Sequence, residues 1–386
     1  MAPRIALIHE WFDVYTGSER VVEQILSLYP QADLFSLVDF LPPGERQWLL
    51  DKPVHTSFIQ RLPFARKHFR SYLPLMPLAI EQLDLSGYDL VISSSHAVAK
   101  GVLTGPDQLH LSYIYSPMRY AWDMQAAYLR ESRIERGPKS WLARLLLHYV
   151  RIWDQRTANG VDAIATDSQF IARRIWKTYR REAQVIYPPV DINSFQLCEK
   201  KDDYYLTASR LVPYKQVAMI VSAFAQMPER KLVVVGEGPE FRRIRQMATP
   251  NVQILGHLPA AELALQMQRA RAFIFAAQED FGITPLEAQA CGTPVIAFGR
   301  GGATETIRGL DHPHPSGVFF TAQTSTALVQ AVERFEENAG SITPQACREN
   351  ALRFTPERFC KEFSEFLDLN WQAFLKKPAT ENFSRA

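Results

Sequence analysis

The chain has 386 residues, 47% hydrophobic and 22% charged, with a formal net charge of +2. That length suffices for two hydrophobic cores, and the balanced charge excludes the whole-molecule field that drives nucleic-acid binding. No run reaches the roughly 18 apolar residues a spanning helix requires, and the first residues enter a strand pattern without the apolar stretch of a signal peptide.

Arg4–Ile8 reads as a buried parallel strand, and His9–Arg20 as the loop after it. Gly17 or Ser18 opens the helix that Val21–Leu26 continues. Amides at such a helix start suit a phosphate, although a Gly there also serves as a plain turn. Ala32–Val38 is a second strand. The stretch from Phe58 to Leu83 interleaves Arg61, Arg66, Lys67, His68 and Arg70 with Phe58, Leu62, Phe64, Phe69 and Tyr72, and no acid occurs between Lys52 and Glu81. It reads either as a solvated face or as a cationic, aromatic surface for anionic headgroups or a lipid pyrophosphate. Pro63, Pro74 and Pro77 exclude one long helix there.

Tyr88–Ser93 and His110–Tyr115 are further strands, ending in the polar stretches Ser94-Ser95-His96 and Ser116–Asp123. The basic amphipathic stretch Ser140–Trp153 predicts a helix whose apolar face packs on the core, with partial membrane contact as the lesser alternative. Val161–Ala165 closes the first α/β half, and Pro188-Pro189 fixes an extended exit. The boundary expected from the polar run after it gives domains 1–195 and 196–356.

The second half repeats the alternation with strands Tyr204–Ala208, Lys231–Val235, Val252–Leu255, Ala272–Ala277 and Pro294–Phe298. Strand–helix alternation of this kind predicts parallel sheets covered on both faces, an α/β class with two doubly wound, Rossmann-like domains and a cleft between them. Residues 357–386 are expected to be helical in Glu357–Leu369 and Trp371–Leu375 and loose at the end. Four cysteines lie far apart, without metal or redox spacing, which fits a cytoplasmic location.

The chemistry concentrates around Glu279 and Glu287, eight residues apart. Thr284-Pro285-Leu286-Glu287 has the form of a capping box, which gives Glu287 a purely structural alternative. Glu279 lies outside it, at a strand end beside Gly282. Amides of Gly282, Ile283 and Thr284 at the helix start face an incoming phosphate. Arg210 and Lys215, on the loop after an earlier strand, supply cations for a diphosphate. There is no Asp-x-Asp motif, so no metal requirement is expected.

Ser209-Arg210-Leu211 with Lys215, Gly236-Glu-Gly-Pro239, Gly256, Glu279-Asp-Phe-Gly-Ile-Thr-Pro-Leu-Glu287, Ala290-Cys-Gly-Thr-Pro-Val295 and Gly301-Gly302 with Glu305 together resemble the retaining glycosyltransferases of family 4, which have the GT-B fold. Ser93–Ala97 and Ser116–Asp123 resemble the bacterial mannosyltransferase branch that builds O-antigen and other exopolysaccharides. The resemblance implies an N-terminal acceptor domain, a C-terminal nucleotide-sugar domain and last helices returning to the first domain. It implies that Arg210 and Lys215 grip the donor diphosphate, Glu279 holds sugar hydroxyls, and Glu287 accepts from ribose. Phe281, Gly282 and Ile283 would frame sugar and phosphate, Gly256 would border the base, and Gly17 would approach the diphosphate. Relatives often carry a His where this chain has Tyr115, which leaves His96 as the first-domain candidate beside the sugar or acceptor.

The implied reaction moves mannose from GDP-mannose, with retention, to a lipid-linked saccharide. No cofactor beyond the nucleotide sugar and no nucleic acid is implied, and residues 58–80 could touch the inner face of the cytoplasmic membrane. A UDP-sugar transferase, a nucleotide-sugar epimerase of the same fold and a non-catalytic nucleotide-sugar-binding protein stay open.

Overall fold

The structure, a computed structural model, describes residues 3–376. The chain divides into two units: residues up to Pro188 together with those from Phe359 on, and Pro189–Arg358.

The first unit holds seven parallel strands: β1 Ile5–Phe12, β2 Asp33–Asp39, β3 Val54–Thr56, β4 Leu90–Ser95, β5 Leu109–Ile114, β6 Ala163–Thr166 and β7 Gln184–Val185. Their order is β3-β2-β1-β4-β5-β6-β7, so the winding reverses between β1 and β4. In doubly wound sheets the ligand crevice opens at the carboxyl ends of such a pair. β1 runs on through His9, Glu10 and Trp11, pairing His9 with Ser36 and Trp11 with Val38. The loop expected from His9 onward therefore starts only after Phe12. The strand tolerates these polar residues because buried partners satisfy them.

Pro356–Lys376 is one continuous helix, not two. Phe359, Phe363, Phe366 and Leu367 on one face join Ile5, Leu7, Val22 and Tyr113 in the first unit's core.

Helix Pro138–Thr157 departs from expectation more sharply. Val150 and Trp153 are buried, but Trp141, Leu142, Leu145, Tyr149 and Ile152 are exposed. At about 100° per residue Trp141, Leu145, Tyr149 and Ile152 fall within an arc of about 80° turned away from Val150, with Leu142 at the boundary beside Trp153. The side that packs inward is built around Val150, Trp153 and the buried Lys100–Asp154 ion pair. The larger apolar side is left outside.

The second unit holds six parallel strands: β8 Tyr205–Ala208, β9 Leu232–Val235, β10 Val252–Gly256, β11 Ala272–Phe275, β12 Val295–Phe298 and β13 Gly317–Phe320. The order β10-β9-β8-β11-β12-β13 reverses between β8 and β11. The four central strands β9, β8, β11 and β12 are buried along their length, as strands covered on both faces require, whereas the edge strand β10 is only partly covered.

Candidate functional site

In the second unit the reversal point brings together the two loops that carry most of the sequence-predicted residues. Ser209, Arg210 and Lys215 follow β8; Glu279 and Gly282 follow β11. Lys215 Nζ forms an ion pair with Glu279 Oε1, both side chains largely but not wholly shielded. Arg210 is exposed on the same loop and has no ion-pair partner among the described residues.

Both loops are held by close backbone approach. A Cβ at Gly236 would lie 1.9 Å from the carbonyl oxygen of Ser209, and one at Gly238 would lie 2.5 Å from that of Leu211. The same turn donates and accepts along the Arg210 loop: Leu211 N donates to Glu237 O at 2.8 Å, and Glu240 N to Leu211 O at 3.1 Å. On the other side, Gly302 N donates to Glu279 O at 2.9 Å, and a Cβ at Gly302 would meet Phe281 Cα at 2.4 Å. These two glycine turns act as clamps on the cation loop and the carboxylate loop, because only glycine lets a neighbouring backbone come this close.

Helix Ile283–Ala290 starts on Gly282, in the left-handed region at φ 92°, with no side-chain cap. The capping box read from Thr284 to Glu287 is therefore not formed. A left-handed Gly282 starts the helix one residue ahead of Thr284, so Glu287 falls beyond the third position a capping carboxylate needs. Glu287 is nevertheless buried. The first-turn amides of Ile283 and Thr284 have no carbonyl partner inside their helix.

That helix is anchored from behind. Gln289 Nε2 donates to Thr306 O at 3.0 Å, and its Oε1 accepts from Asn350 Nδ2 at 2.6 Å. Arg348 Nη1 donates to Ala290 O at 2.7 Å, where the helix dipole is negative. Phe281 is a core residue whose ring meets Phe354 edge-on at 5.6 Å. What Phe281 offers a ligand is its backbone, not its ring. Gly256 ends β10, two strands from the reversal point, and its carbonyl accepts from Gly236 N at 2.7 Å.

The first unit has its own cluster at the β1–β4 reversal. Gly17 is the first residue of helix Gly17–Leu28, with Thr16 as its N-cap. Glu19, buried beneath that start, accepts from Thr16 N at 2.9 Å and Ser18 Oγ at 3.0 Å. His9 Nε2 lies 3.1 Å from Glu19 Oε1, and His9 Nδ1 lies 3.1 Å from Ser94 Oγ. Tyr115 completes the chain: its hydroxyl lies 2.9 Å from Ser94 Oγ and donates to Ser18 O at 3.0 Å. Burial works against charge on Glu19, but the His9 hydrogen bond and charge prevail and hold its pKa at about 2.

Glu10 is fully buried one residue along. Its Oε1 accepts from the amides of His96, Ala97 and Ala99 at 2.9, 2.8 and 3.1 Å and from Ser95 Oγ at 3.1 Å. Its Oε2 lies 3.0 Å from His96 Nδ1. Burial opposes ionisation of Glu10, yet the His96 imidazole and these donors hold it well below the usual carboxylate range. His96 is pushed the other way: burial lowers its pKa, but the Glu10 carboxylate raises it more. The ring of His96 meets Trp11 edge-on at 4.7 Å, and Arg70 lies over Trp11 at 5.3 Å.

His96 and Gly17 thus sit at the same strand ends. His9, Glu10 and Glu19, which hold them, were missed by pattern reading. The available signal was two ionisable residues inside the otherwise apolar strand Ile-Ala-Leu-Ile-His-Glu-Trp-Phe.

Residues 191–354 match the model of the family described as glycosyl transferases group 1. A GDP-mannose-dependent monoacylated alpha-(1-6)-phosphatidylinositol monomannoside mannosyltransferase of Corynebacterium glutamicum is 38% identical over 114 residues, 26% of this chain and 30% of that protein. The chain thus matches well under two thirds of that relative's length. Among solved structures, a sucrose-phosphate synthase from Thermosynechococcus elongatus superposes with a TM-score of 0.72 at 18% identity, covering 96% of this chain and 99% of that one. The Anabaena protein HepE, solved in complex with UDP, gives a TM-score of 0.66 at 17% identity over 95% and 100%. These likenesses show the fold, GT-B, with two parallel-sheet Rossmann-like halves.

Proposed function

We propose, taking as premise that residues 191–354 belong to the glycosyl transferases group 1, that this chain is a glycosyltransferase. Its donor is a nucleoside diphosphate sugar, in our reading GDP-mannose, and its acceptor a hydroxyl of a lipid-linked saccharide used in bacterial polysaccharide synthesis such as O-antigen. The observation that carries this reading is the Lys215–Glu279 pair at the β8–β11 reversal, beside the exposed Arg210 and the first-turn amides after Gly282.

A diphosphate arriving at these strand ends competes with Glu279 for the Lys215 ammonium. Arg210, Lys215 and the helix amides meet the charge that grows on the departing diphosphate. Glu279, released from Lys215, accepts from the sugar hydroxyls, and Glu287 accepts from the ribose. In a retaining transfer the acceptor oxygen bonds to the anomeric carbon on the face the diphosphate leaves. The departing phosphate oxygen takes the acceptor proton. Arg210 and Lys215 supply the positive charge, so the transfer needs no metal. In the first unit, His96, its pKa raised by the Glu10 carboxylate, and the Gly17 helix start serve the same reaction.

The protein works in the cytoplasm, with residues 58–80 against the membrane that holds the acceptor. Arg61, Arg66 and Lys67 are exposed there, and Phe64 is 80% exposed at a left-handed φ of 57°. No helix among the described residues is long and apolar enough to cross a membrane.

A thermal-shift panel of sugar nucleotides, followed by NMR of the glycoside formed, tests the proposal. GDP-mannose should stabilise the protein most, since only a bound ligand raises the melting point by mass action. The new linkage should keep the α configuration of the donor. Stabilisation by UDP-sugars alone would replace the donor, and isomerised nucleotide without an acceptor would replace the reaction by epimerisation.

A further inference from the structure

The exposed side of helix Pro138–Thr157 has no role in the reaction just proposed. Trp141, Leu145, Tyr149 and Ile152 recur at intervals of four, four and three residues, with Leu142 beside them, so they form one strip along the helix. Trp141 is 69% exposed and Ile152 56% exposed. Large apolar strips of this kind mark an interaction surface.

The exposed charge on the helix itself is of one sign. Lys139, Arg144 and Arg156 are exposed. Arg151 is turned inward, donating to Ala121 O at 2.8 Å. The helix carries a single acid, Asp154, and that carboxylate is buried against Lys100, Trp122 Nε1 at 2.7 Å and Tyr179 OH at 2.9 Å. Nothing negative on the helix is presented to a partner. An aromatic and aliphatic strip bordered by cations is the pattern of a helix lying in the interface of an anionic bilayer, with Trp and Tyr at headgroup depth.

The helix is also tied to the cationic segment before it. Val150 and Trp153 share a core cluster with Ile59, Phe69, Met76 and Ile80, and Trp153 Nε1 donates to Glu81 Oε1 at 2.7 Å. The helix and residues 58–81 therefore share one core.

We infer that the outer face of helix Pro138–Thr157 is a docking surface for an anionic lipid bilayer, into which Trp141, Leu145 and Ile152 insert. This goes beyond the proposed transfer and does not depend on which sugar is moved. It assigns the apolar anchoring to the helix rather than to the 58–80 segment.

Co-sedimentation of the full chain with phosphatidylcholine vesicles, with and without phosphatidylglycerol, tests it. The protein should bind the mixed vesicles and leave the pure phosphatidylcholine ones. The triple variant Trp141→Ser, Leu145→Ser, Ile152→Ser should lower partitioning at least tenfold while melting at the wild-type temperature. Phe64→Ser should have a smaller effect. Quenching by brominated lipid should fall in Trp141→Phe relative to the wild type, a reading that holds even if the triple variant misfolds. Equal binding by the folded triple variant, or quenching unchanged in Trp141→Phe, overturns the inference. So does a concentration-dependent dimer that the triple variant abolishes, because a second copy would then cover the strip.

Discussion

Lys215 and Glu279 stand 64 residues apart and form an ion pair where the second sheet reverses its winding. Each is therefore the other's counter-charge before any ligand arrives, and neither can be removed without changing its partner. Lys215→Ala and Glu279→Ala should each lower kcat with GDP-mannose by on the order of 10²-fold. The double variant should lose far less than the product of the two losses, because residues in contact are not independent. Steady-state kinetics on all three variants checks this; multiplicative losses would separate the two roles.

Arg210, without an ion-pair partner among the described residues, behaves differently in this scheme. Arg210→Ala should cost on the order of 10²-fold in kcat and leave the melting temperature unchanged, since no folded-state pair is broken. Near-normal turnover would remove it from the diphosphate site. Activity should persist in a chelator such as EDTA, because in the proposed transfer Arg210 and Lys215 supply the positive charge.

Glu287 is buried and does not cap its helix. Glu287→Gln should raise the Kd for the donor about tenfold, near 1.4 kcal/mol, with little change in melting temperature. Isothermal titration with the donor and a thermal melt together decide between a ribose contact and a packing role.

Gly302 offers a purely steric test. A methyl group there would fall 2.4 Å from Phe281 Cα, so Gly302→Ala should push the carboxylate loop away. A destabilisation of about 1–3 kcal/mol is expected, as for other overpacked sites. Denaturant unfolding measures it, and donor affinity should fall with it.

The Glu10–His96 pair predicts a pH signature. His96, raised above its ordinary 6.5, contributes stability that is complete below that value and is lost as pH rises through its folded pKa. Glu10, depressed from 4.5, contributes stability present above that value and lost as pH falls toward its folded pKa. The unfolding free energy of wild type minus that of His96→Asn should be largest between the ordinary values of the two groups, 4.5 and 6.5, and shrink as pH rises through the raised His96 pKa. A difference that does not vary with pH would mean that His96 is neutral in the fold.

The strand–helix alternation was legible because apolar runs of strand length and turn glycines carry it in one dimension; the strand order, and with it the two reversal points, was not, because pairing between distant strands leaves no local pattern. The placement of Glu279, Arg210 and Lys215 on loops after strands was legible because a strand's carboxyl end is marked in the sequence whatever the packing. The first-unit network was not. His9 and Glu10 look like the start of a loop, and only the partners at Ser94, Glu19 and the 96–99 amides make them strand residues. The capping box failed for a local reason: Gly282 in the left-handed region shifts the helix start ahead of Thr284. Helix Pro138–Thr157 failed for a global one. Periodicity finds apolar sides but cannot say which of two faces the core, and here the buried Lys100–Asp154 pair selects the smaller one.

The first unit is written in two pieces around the second. Phe359, Phe363, Phe366 and Leu367 complete a core whose other members, Leu7 and Tyr113 among them, leave the ribosome hundreds of residues earlier. During synthesis Pro189–Arg358 is the first unit whose chain is whole, while the sheet from Ile5 to Val185 waits with an apolar face unfilled. A released chain truncated between Arg358 and Lys376 would carry a whole second unit and a first unit with its apolar face exposed, the species a chaperone should be found holding.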